Sequence, residues 1–234
     1  RVDLLIWIDD SASMREEQST VTSRLGPLVL ALLEPPDRDG DTRPDGPPVE
    51  DLNVGIVAPE MPSTDALPGC SATGSARVGC LLREPPVPGA GCEATYPPFQ
   101  SWNALRDDRA DAERFAHDVG CVATVGTNGC TFTQPFASVA RALTVETRPG
   151  GCNAGFLRDD ALLAVLWISD GDDGYASVAH PELFDPDAPL GPPATRAALH
   201  PELLEPIATF VPAIRGPKPA ADCYKGVLGM IVGV

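Results

Sequence analysis

Two apolar segments that end in acidic residues constrain the fold of this chain more than any other feature. Residues 4–8 include no polar side chain, and Asp9 follows them directly. Residues 162–168 repeat the arrangement and lead into Ser169 and Asp170. Such segments are typical of strands buried on both faces, which belong to parallel sheets covered by helices. We therefore expect an α/β fold with both acidic groups at the carboxyl edge of the sheet, where open α/β sheets bind ligands.

The rest of the chain alternates between helical and strand patterns, which predicts a mostly parallel central sheet flanked by helices. Helices are predicted at 21–33, with a kink at Gly26–Pro27, at 107–119, from about Thr133–Pro135 onward, and near 201–214, where Pro206 and Pro212 interrupt the helix. Further strands are predicted at 52–58 and 227–234. Residues 60–105 form a Cys/Pro/Gly-rich insertion, with an edge strand near 79–83. We treat residues 1–234 as a single domain whose pattern ends where one more C-terminal helix is expected.

The charge balance argues against two classes of partner. The formal net charge is −16, and Lys218 and Lys225 are the only lysines. Nucleic acids and anionic membrane surfaces are bound by clusters of Lys and Arg. We therefore expect no nucleic-acid partner and no direct membrane insertion by this domain.

Seven cysteines indicate an oxidising compartment. They form no Cys-x-x-Cys pair, which disfavours structural zinc, and several lie in Gly/Pro-rich segments that disulfides would stiffen. We expect the pairs Cys121–Cys130 and Cys70–Cys80; the alternative is a cytoplasmic protein with incidental cysteines. The sequence starts at Arg1 with no signal peptide and no membrane span, which is the pattern of an excised domain.

The two acidic strand ends predict a divalent-cation site. Carboxylates that face each other repel, and a cation is the usual remedy. Asp9, Ser11 and Ser13 are spaced so that a turning loop can aim three oxygens at one point, and Asp170 would face them. Oxygen donors select a hard cation, Mg²⁺ first, with Mn²⁺ or Ca²⁺ as alternatives. Asp10, Asp172 and Asp173 are expected to be solvated or to cap helices.

The Asp9-x-Ser11-x-Ser13 sequence after an apolar strand resembles the metal-ion-dependent adhesion site of the von Willebrand factor type A domain. Asp170, in the stretch WISDG, matches the aspartate after the fourth strand of that family. The remaining ligand of the family is a threonine, for which GCTFTQPF offers Thr131 and Thr133 without deciding between them. The chain departs from the family at Gly129-Cys130-Thr131, where Gly-Gly-Thr is usual.

The resemblance implies a Rossmann-like sheet whose first and fourth strands are neighbours. It also implies a metal held by Asp9, Ser11, Ser13, a threonine and Asp170, some of them through water, and completed by an Asp or Glu of a partner protein. The implied function is adhesion or assembly, with no enzymatic turnover. The stretches GTNGCTFTQPFASVARAL and NAGFLRDDALLAVLWISDGDD resemble bacterial, myxobacterial-type secreted or lipoprotein members. This predicts an extracellular, periplasmic or outer-envelope location, with any lipid anchor on a segment outside this sequence.

Three alternatives accompany this interpretation. Asp9, Ser11 and Ser13 could simply cap a helix, since Asp and Ser favour such positions. A structural envelope scaffold could keep the fold with a non-functional metal site. A haloacid-dehalogenase-type phosphatase also places an aspartate after a buried strand, but it needs a second aspartate where this chain has Ser11 and a lysine between the acidic strands, where there is none.

Overall fold

A computed structural model describes residues 1–57, 61, 78–85, 87, 89, 91–130, 132–171, 174–175, 179–215 and 226–232. The strands are β1 (Val2–Ile8), β2 (Asp51–Val57), β3 (Gln100–Asn103), β4 (Leu162–Ser169) and β5 (Gly226–Val232). The helices are α1 (Glu17–Leu33), α2 (Arg109–Val122), α3 (Pro135–Thr144), α4 (Pro193–Leu199) and α5 (Val211–Arg215). Short 3₁₀ segments occur at Ala12–Arg15, Pro181–Phe184, Pro201–Leu203 and Ile207–Thr209.

The described strands form one five-stranded sheet in the order β3-β2-β1-β4-β5. β1 pairs in parallel with β2 and with β4, β4 pairs in parallel with β5, and only β3 is antiparallel. The predicted α/β, Rossmann-like class is confirmed, and so is the predicted contact between the strands that carry Asp9 and Asp170. Because β2 and β4 lie on opposite sides of β1, the carboxyl ends of β1 and β4 flank the switch point of the sheet.

The side chains of β1 alternate between two hydrophobic cores, one on each face of the sheet. Leu4, Ile6 and Ile8 pack in the core that includes α1 and α2, whereas Leu5 and Trp7 pack in the core that includes α3 and α5. All five side chains are buried. This two-sided burial explains why residues 4–8 of the strand include no polar side chain.

Several predicted elements differ from those observed. α1 continues through Pro27 to Leu33. Residues 201–214, predicted as a helix interrupted by two prolines, contain two 3₁₀ segments and the first four residues of α5. Pro206 explains the break between the two 3₁₀ segments, because proline removes a backbone donor and clashes with the preceding turn, whereas Pro212 lies in the first turn of α5, where proline is tolerated. The predicted edge strand near 79–83 is reduced to one antiparallel bridge between Val57 and Leu81.

Both predicted disulfides are wrong. Cys80 pairs with Cys152 and Cys92 pairs with Cys121, while Cys130 is disulfide-bonded as well. The prediction favoured short loops, whereas the fold brings together cysteines 72 and 29 residues apart. Both bridges join residues of the 60–105 insertion to the body of the domain. Such bridges fit an extracellular or secreted protein.

The described part of the insertion belongs to the cores of the domain. Leu82, Tyr96 and Trp102 pack in the core beside α1 and α2, and Leu81 packs in the opposite one. No helix among the described residues has both the length and the apolar character required to cross a membrane.

Candidate metal centre

Asp9 is fixed at the switch point by hydrogen bonds to both of its carboxylate oxygens. The Ser11 N–H donates to Oδ1 at 2.8 Å, and the Ser169 hydroxyl donates to Oδ2 at 2.6 Å. The backbone of Asp9 is held too, because its N–H donates to the Ile168 carbonyl and its carbonyl accepts from the Gln18 side chain. Asp9 is completely buried, so β1 delivers a carboxylate with one defined orientation.

The two serines connect Asp9 with the acidic end of β4. The Ser11 and Ser13 hydroxyl oxygens lie 2.9 Å apart, and the Ser13 hydroxyl donates to Oδ1 of Asp170 at 3.0 Å. Ser11 is buried, whereas Ser13 and Asp170 are exposed. The loop after β1 therefore brings its hydroxyl groups toward the carboxylate that follows β4.

Thr133 joins the same group of oxygen atoms. A Cβ placed on Gly171 would lie 3.6 Å from the Thr133 hydroxyl, 3.6 Å from Oδ2 of Asp9 and 3.7 Å from the Ser169 hydroxyl. Thr133 does not cap α3, because the N-cap residue is Gln134. The other candidate, Thr131, lies outside the described residues. Of the two threonines, Thr133 is thus the one whose position at the site is described.

These side chains line one cavity of about 250 Å³. Asp9, Ser11, Ser13, Thr133 and Asp170 contribute oxygens to it. Its other walls include Phe132, Gly171 and Gly174, and the Pro193, Ala194 and Ala197 side chains of α4. The lining of the cavity therefore combines oxygen-bearing side chains with apolar ones.

The electrostatics of the site favour a cation. Burial raises the pKa of Asp9 above its ordinary value, and the nearby Asp170 carboxylate raises this pKa further, against the lowering effect of the hydrogen bonds from Ser169 and Ser11. Among the described residues no salt bridge includes Asp9 or Asp170. A bound cation would supply the positive charge that the surrounding side chains do not.

The donor set fits a hard divalent cation. Every candidate donor is a carboxylate or hydroxyl oxygen, and such oxygens suit Mg²⁺, Mn²⁺ and Ca²⁺ better than softer metals. Adjacent ligands of an octahedral Mg²⁺, each 2.0–2.1 Å from the ion, are roughly 3 Å apart. The separations of 2.9 Å between Ser11 and Ser13 and 3.0 Å between Ser13 and Asp170 match that edge length.

Sequence reasoning missed two residues that hold the site together. Ser169 bonds to Asp9 and also accepts from the Gly171 N–H, so it joins the ends of β1 and β4. Asp10, expected to be solvated or capping, is buried with its carboxylate directly against Gly129, whose N–H donates to the Asp10 carbonyl at 2.7 Å. The hydroxyl of Ser169, placed directly before Asp170 at the end of an apolar strand, was the available signal in the sequence. Asp172 and Asp173 lie outside the described residues.

Three other groups of potential metal ligands occur among the described residues. Two of them depend on cysteines that are already paired in the disulfides Cys92–Cys121 and Cys80–Cys152. The third consists of Asp37, Asp39 and Asp45 in an exposed loop, where each carboxylate accepts a hydrogen bond from a backbone N–H of the same loop.

The chain matches no model of a known protein family, and no curated protein matches its sequence.

Proposed function

We propose that this domain is a metal-dependent protein-binding module of a secreted or cell-envelope protein, of the type seen in von Willebrand factor A domains. A divalent cation, Mg²⁺ in the first place, binds Asp9, Ser11, Ser13, a threonine and Asp170. An Asp or Glu of a partner protein completes the coordination, and the contact serves adhesion or assembly. The alternatives are the envelope scaffold with a non-functional metal site and the phosphatase.

The observation that carries this proposal is the convergence of five oxygen-bearing side chains in one cavity at the switch point of the sheet. They come from three separate parts of the chain: the end of β1, the segment before α3 and the end of β4. A helix cap would explain Ser11 or Asp9 alone. It would not explain why the Ser13 hydroxyl bonds to Asp170, a residue 157 positions away.

Three neutral hydroxyls among the proposed donors explain why a partner carboxylate would bind. Ser11, Ser13 and the threonine add oxygens to the site but no negative charge, so the cation would keep part of its positive charge. The exposure of Ser13 and Asp170 leaves one side of the cavity accessible to a partner. A hard cation in this position attracts an incoming carboxylate in preference to neutral ligands.

The test is calorimetric titration of Mg²⁺ and Mn²⁺ into the wild-type domain and into Asp9→Asn and Asp170→Asn. We expect saturable one-site binding to the wild type and at least a tenfold loss of affinity in each variant. Asp9→Asn is expected to be at least as stable as the wild type in EDTA, because it removes a buried charge that lacks a basic partner. Thermal unfolding in EDTA therefore separates loss of binding from loss of folding.

The matched control is Asp187→Asn, which removes the same charge from an exposed residue that does not line the cavity. Its metal affinity should equal that of the wild type. If a folded wild-type protein binds neither cation, or if all variants bind equally well, the metal-dependent function is refuted and the scaffold alternative gains support.

A further inference from the structure

A second, larger cavity adjoins the candidate metal centre. Its volume is about 480 Å³, within the range of ligand-binding pockets, and Gly171 and Ala197 line both cavities. The two spaces are therefore adjacent at the carboxyl edge of β4 and along α4. If one group of a ligand binds in the first cavity, the part of the ligand next to that group would lie at the entrance of the second cavity.

The second cavity has a mostly apolar lining that includes three aromatic side chains. Trp7, Trp167 and Met230 occupy matching register positions on β1, β4 and β5, so their side chains lie side by side on one face of the sheet. The Phe136 ring packs against Trp167 with their centroids 5.6 Å apart. The opposite wall includes Leu204 and Ile207 from the segment after α4.

The lining is open to solvent at two of these side chains. Met230 and Ile207 are each 58% exposed, which is unusual for large apolar residues that line a cavity. Covering them would remove apolar surface from water, and this is the main source of binding free energy for an apolar group.

The two cavities differ in charge, so each favours a different part of a ligand. Glu205 lines the apolar cavity, and its carboxylate accepts a hydrogen bond from the Thr209 hydroxyl at 2.8 Å. A second carboxylate in that cavity would be repelled by Glu205, whereas one in the first cavity would be attracted by the proposed cation. The carboxylate of a ligand is thus expected in the first cavity, beside the proposed cation, and its apolar part is expected in the second cavity, beside Trp7 and Trp167.

We propose that the partner segment carries a bulky apolar residue next to the acidic residue that reaches the metal, and that this apolar side chain binds in the cavity lined by Trp7, Trp167, Phe136, Leu204, Ile207 and Met230. This inference rests on the proposed metal-dependent function and adds sequence specificity to it. Successive Cα atoms of the partner are 3.8 Å apart, so adjacent residues can enter adjacent cavities. Leu, Met and Phe have the size and polarity that the lining accepts.

The test compares two peptides, acetyl-Gly-Leu-Asp-Leu-Gly-amide and acetyl-Gly-Ala-Asp-Ala-Gly-amide, titrated into the domain with saturating Mg²⁺. We expect the leucine peptide to bind at least tenfold more tightly than the alanine peptide, since it buries several additional methylene groups. In EDTA, binding of both peptides should be lost.

A pair of double variants tests where the preference originates. Ile207→Ser/Met230→Ser makes the cavity lining polar, and we expect it to reduce the preference for leucine to less than threefold. Leu199→Ser/Ile231→Ser is the control, because these residues are 60% and 54% exposed but do not line the cavity. The control should keep the full preference.

The outcomes separate this inference from the proposed function. Mg²⁺ is first titrated alone into every protein, so a failure of metal binding is recognised as a failure of the proposed function. If Mg²⁺ binds and the acidic peptides bind with equal affinity, or if the preference for leucine persists in Ile207→Ser/Met230→Ser, the apolar-cavity inference is overturned while the metal-dependent function stands.

Discussion

At the scale of single residues, Gly129 occupies a position that no other amino acid can take unchanged. Its N–H donates to the Asp10 carbonyl, and a Cβ at this position would overlap the Asp10 carboxylate. Asp10 directly follows Asp9, and Gly129 begins the segment that contains both candidate threonines. The close approach of these two backbones therefore sets the distance between the loop after β1 and the segment before α3, which both carry candidate metal ligands.

We predict that Gly129→Ala weakens Mg²⁺ binding at least tenfold and lowers the free energy of unfolding by about 1–3 kcal/mol, the usual cost of overpacking. The physical reason is that the added methyl group must displace Asp10 or the threonine segment. Calorimetry and urea unfolding would measure the two effects.

Gly120→Ala is the matched control for this prediction. Gly120 lies within α2, and a Cβ there would meet no atom within 4 Å. The control should gain up to about 1 kcal/mol in stability, because alanine favours helix more than glycine does. Equal metal affinity in Gly129→Ala and the wild type would show that the Asp10 contact does not set the geometry of the site.

Much of the site could be predicted from residue spacing, and the rest depended on contacts across the fold. Asp9, Ser11 and Ser13 are consecutive alternate residues after an apolar strand, so their proximity follows from local sequence. Thr133 could not be preferred over Thr131 in this way, because the position of Thr133 depends on how the segment before α3 packs near Gly171. The importance of Gly129 was equally hidden, since it comes from contact with Asp10, a residue distant in sequence.

At the scale of secondary-structure elements, one buried arginine holds the wall shared by the two cavities. Arg196 of α4 is only 2% exposed, and its guanidinium donates to four backbone carbonyls. The acceptors are Gly191 at 2.9 Å, Leu183 at 3.0 Å, Asp185 at 2.8 Å and Ala188 at 3.4 Å. Because α4 has only seven residues, it depends on these bonds more than a long helix would.

We predict that Arg196→Met lowers the free energy of unfolding by about 3 kcal/mol, since it leaves several buried carbonyls without donors. The preference for apolar peptides should fall with it, because α4 contributes Ala197 and Ala198 to the apolar cavity. Urea unfolding and peptide titration provide the two measurements.

Arg148→Met serves as the comparison, because Arg148 is exposed and no side-chain hydrogen bond or ion pair of it is described. It should change stability by less than about 0.5 kcal/mol. If Arg196→Met is no less stable than Arg148→Met, the guanidinium does not hold the wall.

The elements that could be predicted are those whose pattern is long and uniform. Residues 4–8 of β1 and residues 162–168 of β4 are all apolar, and α2 has a regular buried face, so the existence of these elements followed from the sequence. β3 has four residues, QSWN, of which three are polar, and it forms only because the edge of β2 is available to it. α4 was missed for a similar reason, since its seven residues are stabilised by tertiary bonds through Arg196.

At the scale of the whole molecule, two disulfides attach the insertion to opposite faces of the sheet. Cys80–Cys152 lies beside the core that contains α3, and Cys92–Cys121 joins the insertion to α2. In the loop-entropy description, closing loops of 72 and 29 residues stabilises a fold by about 4 kcal/mol in each case. This is a large share of the 5–15 kcal/mol typical of a folded domain.

We predict that Cys80→Ala/Cys152→Ala and Cys92→Ala/Cys121→Ala each lower the free energy of unfolding by about 4 kcal/mol, with the greater loss for the first pair because its loop is longer. Guanidinium unfolding of the two double variants beside the oxidised wild type would measure this. Unchanged stability in both variants would mean that the insertion is held by its packing alone.

The pairing of β1 with β4 has a consequence for synthesis of the protein. Asp9 is made early, yet the hydroxyl that orients it belongs to Ser169, 160 residues later, and Ser13 meets Asp170 across 157 residues. A nascent chain that has emerged only as far as α3 holds four of the five proposed ligands but lacks Asp170, and it also lacks Ser169. We therefore expect the proposed cation to bind after most of the chain has left the ribosome and the central strands have paired, and not to template the early steps of folding.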